Sequence, residues 1–301
     1  MNGLYIHSTA SFLGNAEADI NYLTGELRRL TPDNFRRLSR FILLALLGAR
    51  RCIEQHSPAE DAAVYLTTEL GGIDAVATAL DEIYKGHSLP KPFNFINTMS
   101  NTATFYLARN LGIRGRSITV SSRDLSFERG LELLKLDFTM GTVKSALLGS
   151  VDETLLSQRT REEHTPRGRR VLDGSAWFYI ASEKEGACGA FTGIRSFSDG
   201  AACRRWFKKG ERGATDVLAF GALISDDESA TWRETLRPAA EFDYLHEQGY
   251  SGAAAACGAS LFVKSFPGRT MMHVNRDRHG RHTVLEVESF AEPQRSISLS
   301  I

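Results

Sequence analysis

Short apolar runs rich in β-branched residues alternate along the chain with longer segments of helical spacing, and this alternation constrains the fold most. The run Ala62–Thr68 suits a strand that is buried on both faces, and Ser145–Ser150 is a second short buried strand. Helical spacing of apolar residues predicts helices over about Asn34–Gln55 and Ile73–Tyr84. Strands that alternate with helices throughout predict a layered α/β fold.

The second half of the chain continues this alternation after a polar, basic segment at residues 157–170, which is the best candidate for a linker. We predict strands over Ala176–Ser182 and Gly189–Phe197, and a terminal hairpin made of Met271–Asn275 and His282–Ser289. No convincing internal repeat is found in the sequence. By length, the chain could form one large α/β domain or two smaller ones.

Composition and spacing exclude several classes of function. Lys and Arg together number 36, as do Asp and Glu, so the net charge is zero and a general nucleic-acid binder is disfavoured. We find no phosphate-binding loop and no dinucleotide-binding fingerprint, and the cysteines and histidines lack metal-ligand spacing. The N-terminus lacks the pattern of a signal peptide, and the longest apolar stretch, Phe41–Leu47, cannot span a bilayer. We expect a cytoplasmic protein with no metal, cofactor, nucleic-acid or membrane partner.

A strand–turn–helix corner lies near the middle of the chain. The strand Ser117–Ser121 leads into a tight turn, and a helix follows from about Leu125. Such a corner can mount a nucleophile, because it exposes one side chain at the N-terminus of a helix. Here the corner carries Asp124, and the helix dipole would hold its carboxylate ionised. We interpret Asp124 as a helix-start residue, with a pocket-lining or partner-contacting role as the alternative and catalysis as the least favoured reading.

In the order of its elements, nearly the whole chain resembles the β-ketoacyl synthases of the thiolase fold. Four segments carry the resemblance, in the order found in that family: Pro92–Asn97 with Gly115–Ser122, Ala146–Glu153, Leu172–Ile180, and Gly252–Ala256 with the end hairpin. The resemblance implies one thiolase-like domain over residues 1–301, with halves of about 1–156 and 171–301. It also implies α-β-α-β-α layers, truncated in the second half.

Members of this family use one cysteine and two histidines to condense acyl groups. The resemblance places the cysteine position on Asp124 and the second histidine on Gly249 or Tyr250. The first histidine has no counterpart, because Ile224–Leu245 is acidic and polar where its loop should be, and His246 lacks the expected glycine and threonine neighbours. All three catalytic positions are therefore degenerate.

A family member without catalytic residues resembles the chain-length factors of type II polyketide and aryl polyene systems, which are related to fatty acid biosynthesis. The resemblance implies a heterodimer with an active ketosynthase, whose acyl tunnel this chain helps to shape, and an indirect contact with acyl carrier protein. It also implies a set of tunnel and interface residues. These are Phe95, Phe105, Tyr106, Ser117, Ile118, Thr119, Val120 and Ser121.

Two other hypotheses stay open. The chain could be an enzyme with relocated chemistry, such as a decarboxylase or acyltransferase that uses Tyr250, His246 or Asp124. It could instead be a scaffold that binds acyl carrier protein through the arginines of the helix near residues 36–51. The simpler interpretation is that those arginines form a solvated face. They are Arg36, Arg37, Arg40, Arg50 and Arg51.

Overall fold

The computed structural model describes residues 3–14, 20–154, 171–209 and 215–291. The predicted linker at residues 157–170 lies outside these described residues. The strands are β1 (Leu4–Gly14), β2 (Ala63–Thr68), β3 (Ser117–Ser121), β4 (Ser145–Asp152), β5 (Asp173–Ala181), β6 (Gly189–Phe197), β7 (Val217–Phe220), β8 (Ala240–Glu241), β9 (Thr270–Arg276) and β10 (His282–Ser289). The helices are α1 (Ile20–Leu30), α2 (Arg40–Cys52), α3 (Ile73–Tyr84), α4 (Pro92–Asn97), α5 (Asn101–Leu111), α6 (Ser126–Thr139), α7 (Gly200–Lys209), α8 (Asp226–Leu236), α9 (Tyr244–Gln248) and α10 (Ala254–Ser265).

The sheet repeats one topology twice. Its strand order within the described residues is β3-β2-β4-β5-β1-β6-β10-β9-β7-β8. In the first half, β2 is parallel to β3 and β4, and β5 is antiparallel to β4 and β1. In the second half, β7 is parallel to β8 and β9, and β10 is antiparallel to β9 and β6. The two halves are thus related as duplicates that meet where β1 pairs with β6, a relation that the sequence does not reveal.

Three apolar clusters divide the molecule into layers. In the central cluster, α6 and α10 pack between strands of both halves. A second cluster places α1, α2 and α5 on the outer face of the first half-sheet, and a third places α7 and α8 on the outer face of the second. The predicted α-β-α-β-α layering is confirmed. The second half is the smaller one, because β7 and β8 have four and two residues where the matching β2 and β3 have six and five.

Helix α2 is buried on every side. It begins at Arg40, later than predicted, where the Ser39 hydroxyl accepts a hydrogen bond from the Ile42 amide. Every residue from Phe41 to Ala49 is buried, because α1 and α5 cover the side that faces away from the sheet. Apolar periodicity identified one buried stripe, made of Leu38, Ile42, Leu46 and Ala49, but could not show that the rest of the helix would also be covered.

The predicted solvated arginine face is wrong for Arg40, and Arg50 and Arg51 are only partly exposed. Arg40 is buried, and its Nη2 atom donates to Asp74 Oδ2 at 2.6 Å. Arg50 Nε donates to Asn110 Oδ1 at 2.6 Å, and Arg51 Nη2 donates to Glu26 Oε2 at 2.9 Å. A buried guanidinium needs such partners, because desolvation of an unpaired charge is costly.

The buried Arg40 joins three carboxylates from distant parts of the chain. Besides Asp74, it lies 3.5 Å from Glu153 Oε2 and 3.4 Å from Asp173 Oδ2. Asp74 opens α3, Glu153 follows β4 and Asp173 opens β5. This cluster therefore ties the start of α2 to the ends of two central strands and to the start of α3.

Glycine at position 48 allows α2 to approach β5 closely. A β-carbon there would lie 2.2 Å from Ser175 Oγ and 2.6 Å from Trp177 Cδ1. Both side chains are held in place, since Ser175 Oγ donates to Leu44 O at 2.9 Å and accepts from Trp177 Nε1 at 3.1 Å. The close approach of helix and strand thus depends on the missing side chain.

We predict that Gly48→Ala lowers the free energy of unfolding by about 1–3 kcal/mol, because overpacking must displace fixed neighbours. The matched control is Gly25→Ala in α1, where a β-carbon would meet nothing within 4 Å. The control should be neutral or stabilising by up to about 1 kcal/mol, through helix propensity alone. Urea denaturation of both variants measures the difference, and equal stabilities would contradict this account of the α2–β5 contact.

Candidate functional site

A small cavity lies where the ends of strands from both halves meet. Asp124 lines it beside the start of α6, and Tyr250 and Gly252 line it beside the start of α10. Its volume is about 30 Å³, enough for a few water molecules, whereas pockets for small ligands occupy roughly 300–1,000 Å³. No cysteine or histidine is among the described residues that line it. In this conformation the cavity cannot admit an acyl chain.

Asp124 is clamped by an arginine from the β9–β10 turn. Arg278 Nε lies 2.9 Å from Asp124 Oδ2, Arg278 Nη2 lies 2.8 Å from Oδ1, and the Arg278 amide donates to Oδ2 at 3.2 Å. Although burial opposes it, these hydrogen bonds hold the pKa of Asp124 below its usual value. The carboxylate is therefore ionised, as expected, but Arg278 is the main cause and the sequence did not identify it.

Glu69 and Tyr250 extend this network into the cavity. The Tyr250 hydroxyl donates to Glu69 Oε2 at 3.2 Å, and Arg278 Nη2 lies 3.4 Å from Glu69 Oε1. Burial, followed by the charge of Asp124, raises the pKa of Glu69. Burial, followed by the charge of Glu69, raises the pKa of Tyr250 as well. Tyr250 therefore stays a neutral phenol and is a poor nucleophile.

Asp152 lies beneath this network, at the end of β4. It accepts hydrogen bonds from Thr68 Oγ1 at 2.8 Å, from the Glu69 amide at 2.8 Å and from the Leu70 amide at 3.1 Å. Burial, followed by the charge of Glu69, raises its pKa to about 8. A polar residue at the end of an apolar buried strand is a signal that could have drawn attention to Asp152 in the sequence.

Glu128 connects the two halves behind the cavity. It is fully buried on α6, and its Oε1 atom accepts a hydrogen bond from Asn275 Nδ2, on β9, at 2.8 Å. Burial raises the pKa of Glu128 to about 7. Sequence reasoning missed this pair, because its two residues are 147 positions apart.

The remaining predicted residues do not line the cavity. Gly249 ends α9, and His246 is exposed on that helix. Phe95 and Phe105 are 58% and 60% exposed, and the Tyr106 ring lies 5.4 Å from the Phe105 ring. The predicted strand residues form β3, which is one edge of the sheet. Ser121 on this strand still contacts the site, because its hydroxyl donates to the carbonyl oxygen of Glu69, a cavity-lining residue, at 3.2 Å.

The next observations concern metal binding, membrane-spanning helices and the cysteine side chains. Among the described residues, no group of three or more His, Cys, Asp or Glu side chains could hold a metal ion. Within the same part of the chain, no helix combines the length and apolarity needed to cross a membrane. Cys52, Cys203 and Cys257 are buried free thiols, and Cys188 is half-buried.

Comparison with solved structures identifies the fold. No protein-family model matches the sequence, and no curated protein matches it either. The ishigamide ketosynthase/chain length factor superposes with a TM-score of 0.72 and 15% identity, over 96% of this chain and 100% of that chain. The ketosynthase ApeO in complex with its chain length factor ApeC, from Xenorhabdus doucetiae, superposes with a TM-score of 0.69 and 13% identity. The similarity covers 95% of this chain and 98% of that chain.

A third similar structure is the AntDE:AntF complex, a type II polyketide acyl-carrier protein with its ketosynthase bound to the hexaketide. It gives a TM-score of 0.70 and 12% identity, over 96% of this chain and 99% of that chain. Together these similarities show that the chain has the thiolase-like fold of ketosynthases and chain length factors. The fold that the four sequence segments predicted is therefore confirmed.

We predict that Asp152→Asn flattens the pH dependence of stability. The pKa of Asp152 rises from 3.8 to about 8 on folding, so the folded state keeps a proton that the unfolded state releases. Its contribution to stability is greatest below pH 4 and is lost progressively as the pH rises to about 8. One such group changes the free energy of unfolding by at most about 1.4 kcal/mol per pH unit.

Urea denaturation of the wild type and Asp152→Asn between pH 5 and 9 measures this slope. The matched control is Asp61→Asn, since Asp61 is exposed, and it should leave the slope unchanged. If the free energy of unfolding of Asp152→Asn changes with pH as steeply as that of the wild type, groups other than Asp152 cause the pH dependence.

Proposed function

We propose that this chain is a ketosynthase-like chain length factor. In this role it is a non-catalytic subunit that pairs with an active β-ketoacyl-ACP synthase and helps to shape the acyl tunnel, in type II polyketide or aryl polyene biosynthesis. The proposal is carried by a broad apolar surface beside an open sheet edge. It is supported by the closed state of the Asp124 cavity and by the fold.

The apolar surface lies on α3, α4 and α5, and we refer to it as the α3–α5 face. Helix α3 buries only Ala79, and α4 buries no residue at all. Large exposed apolar side chains follow one another along this segment: Leu80, Ile83, Tyr84, Leu89, Phe93, Phe95, Ile96, Met99 and Phe105. Monomeric proteins rarely expose apolar surface of this extent, so a partner that covers it is favoured.

The α3–α5 face holds together as one surface next to β3. Asn94 Nδ2 on α4 donates to Glu82 Oε1 on α3 at 2.8 Å. Helix α5 packs on β3, where the Thr104 and Thr119 hydroxyls lie 3.2 Å apart. A partner docked on the face would therefore also reach the edge strand.

The edge strand β3 is open to pairing. Its sequence, Ser-Ile-Thr-Val-Ser, contains neither a charged residue nor proline, the devices that normally protect a sheet edge. The opposite edge differs, because β8 has only two residues and its Glu241 is paired with Arg233. The asymmetry supports a partner strand at β3, which would continue the sheet into a second subunit.

The cavity supports a non-catalytic role. Asp124 is neutralised by Arg278, Tyr250 is a half-buried phenol whose pKa is raised, and His246 is exposed outside the cavity. None of the three offers an activated nucleophile. The scaffold alternative also loses support, because only Arg36 and Arg37 of its five arginines are exposed. A contact with acyl carrier protein is therefore proposed to be indirect, through the ketosynthase.

We predict that the chain co-purifies with the ketosynthase encoded beside its gene as a one-to-one complex in size-exclusion chromatography with light scattering. The double variant Tyr84→Asp/Phe105→Asp should weaken the complex at least a hundredfold, because it puts two charges into a desolvated interface. Ile20→Asp is the matched control, since Ile20 is an exposed apolar residue on α1, and it should bind normally. If the chain stays monomeric and forms no complex with the ketosynthase, the proposal is contradicted.

We also predict that the chain alone acquires no acyl adduct from acyl- or malonyl-carrier protein, as measured by intact-protein mass spectrometry. In the complex, the adduct should appear on the ketosynthase alone. Tyr250→Phe should leave the rate of chain elongation by the complex unchanged, because it removes only the hydroxyl that contacts Glu69. An adduct on this chain, or elongation without the ketosynthase, would favour the enzyme hypothesis instead.

A further inference from the structure

A second cavity lies at the opposite end of α2 from the Asp124 site. Helix α2 begins at Arg40, beside the strand ends that surround the site, and ends at Cys52, whose Sγ atom lies 3.6 Å from Ser8 O on β1. A cavity of about 330 Å³ opens there, between the last turns of α1, α2 and α5. This volume lies within the range of pockets that bind small molecules. The proposed pairing function does not use it.

A fixed positive charge forms part of the cavity wall. Arg50 is half-buried, and its Nε atom donates to Asn110 Oδ1 at 2.6 Å while Nη2 donates to Asn110 O. The Asn110 amide donates in turn to Asp33 Oδ2. The guanidinium is thus held directly by neutral groups, and among the described residues no carboxylate lies within ion-pair distance of it. Burial lowers the pKa of Arg50, and the more distant charge of Asp33 offsets this only in part. A partly desolvated guanidinium in this state gains from an anionic partner.

Apolar and polar side chains complete the wall. Leu30, Ile53 and Leu111 supply apolar surface. His56 and Ser57 lie in the same cavity and can donate further hydrogen bonds. Glu54, which is exposed and also lines the cavity, disfavours a ligand of higher negative charge. The wall therefore suits a molecule with one negative charge and an apolar body.

We propose that this cavity binds a small organic carboxylate, with its carboxylate on Arg50 and its apolar part against Leu30, Ile53 and Leu111. Planar guanidinium and carboxylate groups can form two parallel hydrogen bonds, which selects a carboxylate over a spherical anion. The site goes beyond the proposed pairing function, because it involves neither the α3–α5 face nor the Asp124 cavity. Binding would be saturable in the chain alone and in its complex.

Hexanoate is a suitable probe, and NMR titration of the full-length chain tests the proposal. We expect saturable binding at millimolar concentrations, with intermolecular nuclear Overhauser effects from hexanoate to the methyl groups of Ile53 and Leu111. Arg50→Met keeps the apolar stem and removes the charge, so it should weaken binding at least tenfold. Arg36→Met is the matched control, because Arg36 is exposed outside the cavity, and it should bind as the wild type does.

Several outcomes would overturn the proposal. These are no saturable binding to the wild type, equal binding of hexanol, unchanged binding to Arg50→Met, or ligand contacts elsewhere on the chain. Tighter binding of inorganic phosphate than of hexanoate would reject a carboxylate site. If circular dichroism shows that Arg50→Met does not fold, the wild-type contacts to Ile53 and Leu111 and the comparison with hexanol decide the question.

Discussion

The burial of α6 and α10 between the two half-sheets is the interaction on which the rest of the structure depends. Phe127 on α6 packs against Phe178 and Phe191, with ring centroids 5.8 and 6.1 Å apart, and so joins strands that flank the junction of the halves. Apolar side chains of α10 fill the same cluster. Because both helices begin at the same edge of the molecule, their burial also brings the polar strand ends of both halves together.

The polar groups gathered at that edge satisfy one another. Asp124 pairs with Arg278, Tyr250 binds Glu69, and Asp152 accepts backbone and hydroxyl hydrogen bonds. Burial of several carboxylates in one place makes some of them retain protons, since their charges cannot all be compensated. The sequence resemblance to ketosynthases places a cysteine position at this corner. Here the corner holds an ion-pair network that links the two halves and leaves little empty space.

The outer surface at α3–α5 and β3 is open, in contrast to the closed cavity. While the cavity is closed, the α3–α5 face and β3 remain open, with apolar side chains and strand edge groups that the described residues of this chain do not cover. A closed interior and an open apolar surface together support the proposal that this chain acts by pairing with a partner. The Arg40 cluster adds a physical connection, because Asp74 at the start of α3 and Glu153 beside the site share one arginine.

Local spacing in the sequence determined the layered α/β class, the strands β3 and β10 with their observed bounds, and the corner that carries Asp124 without a cysteine. Tertiary structure alone decided the duplicated topology, the burial of Arg40 and the pairing of Asp124 with Arg278, which lies 154 positions away. The reason is physical: strand and helix patterns arise from neighbouring residues, whereas burial and charge pairing depend on which distant segments cover one another. No spacing rule reports that a helix will be covered on both faces.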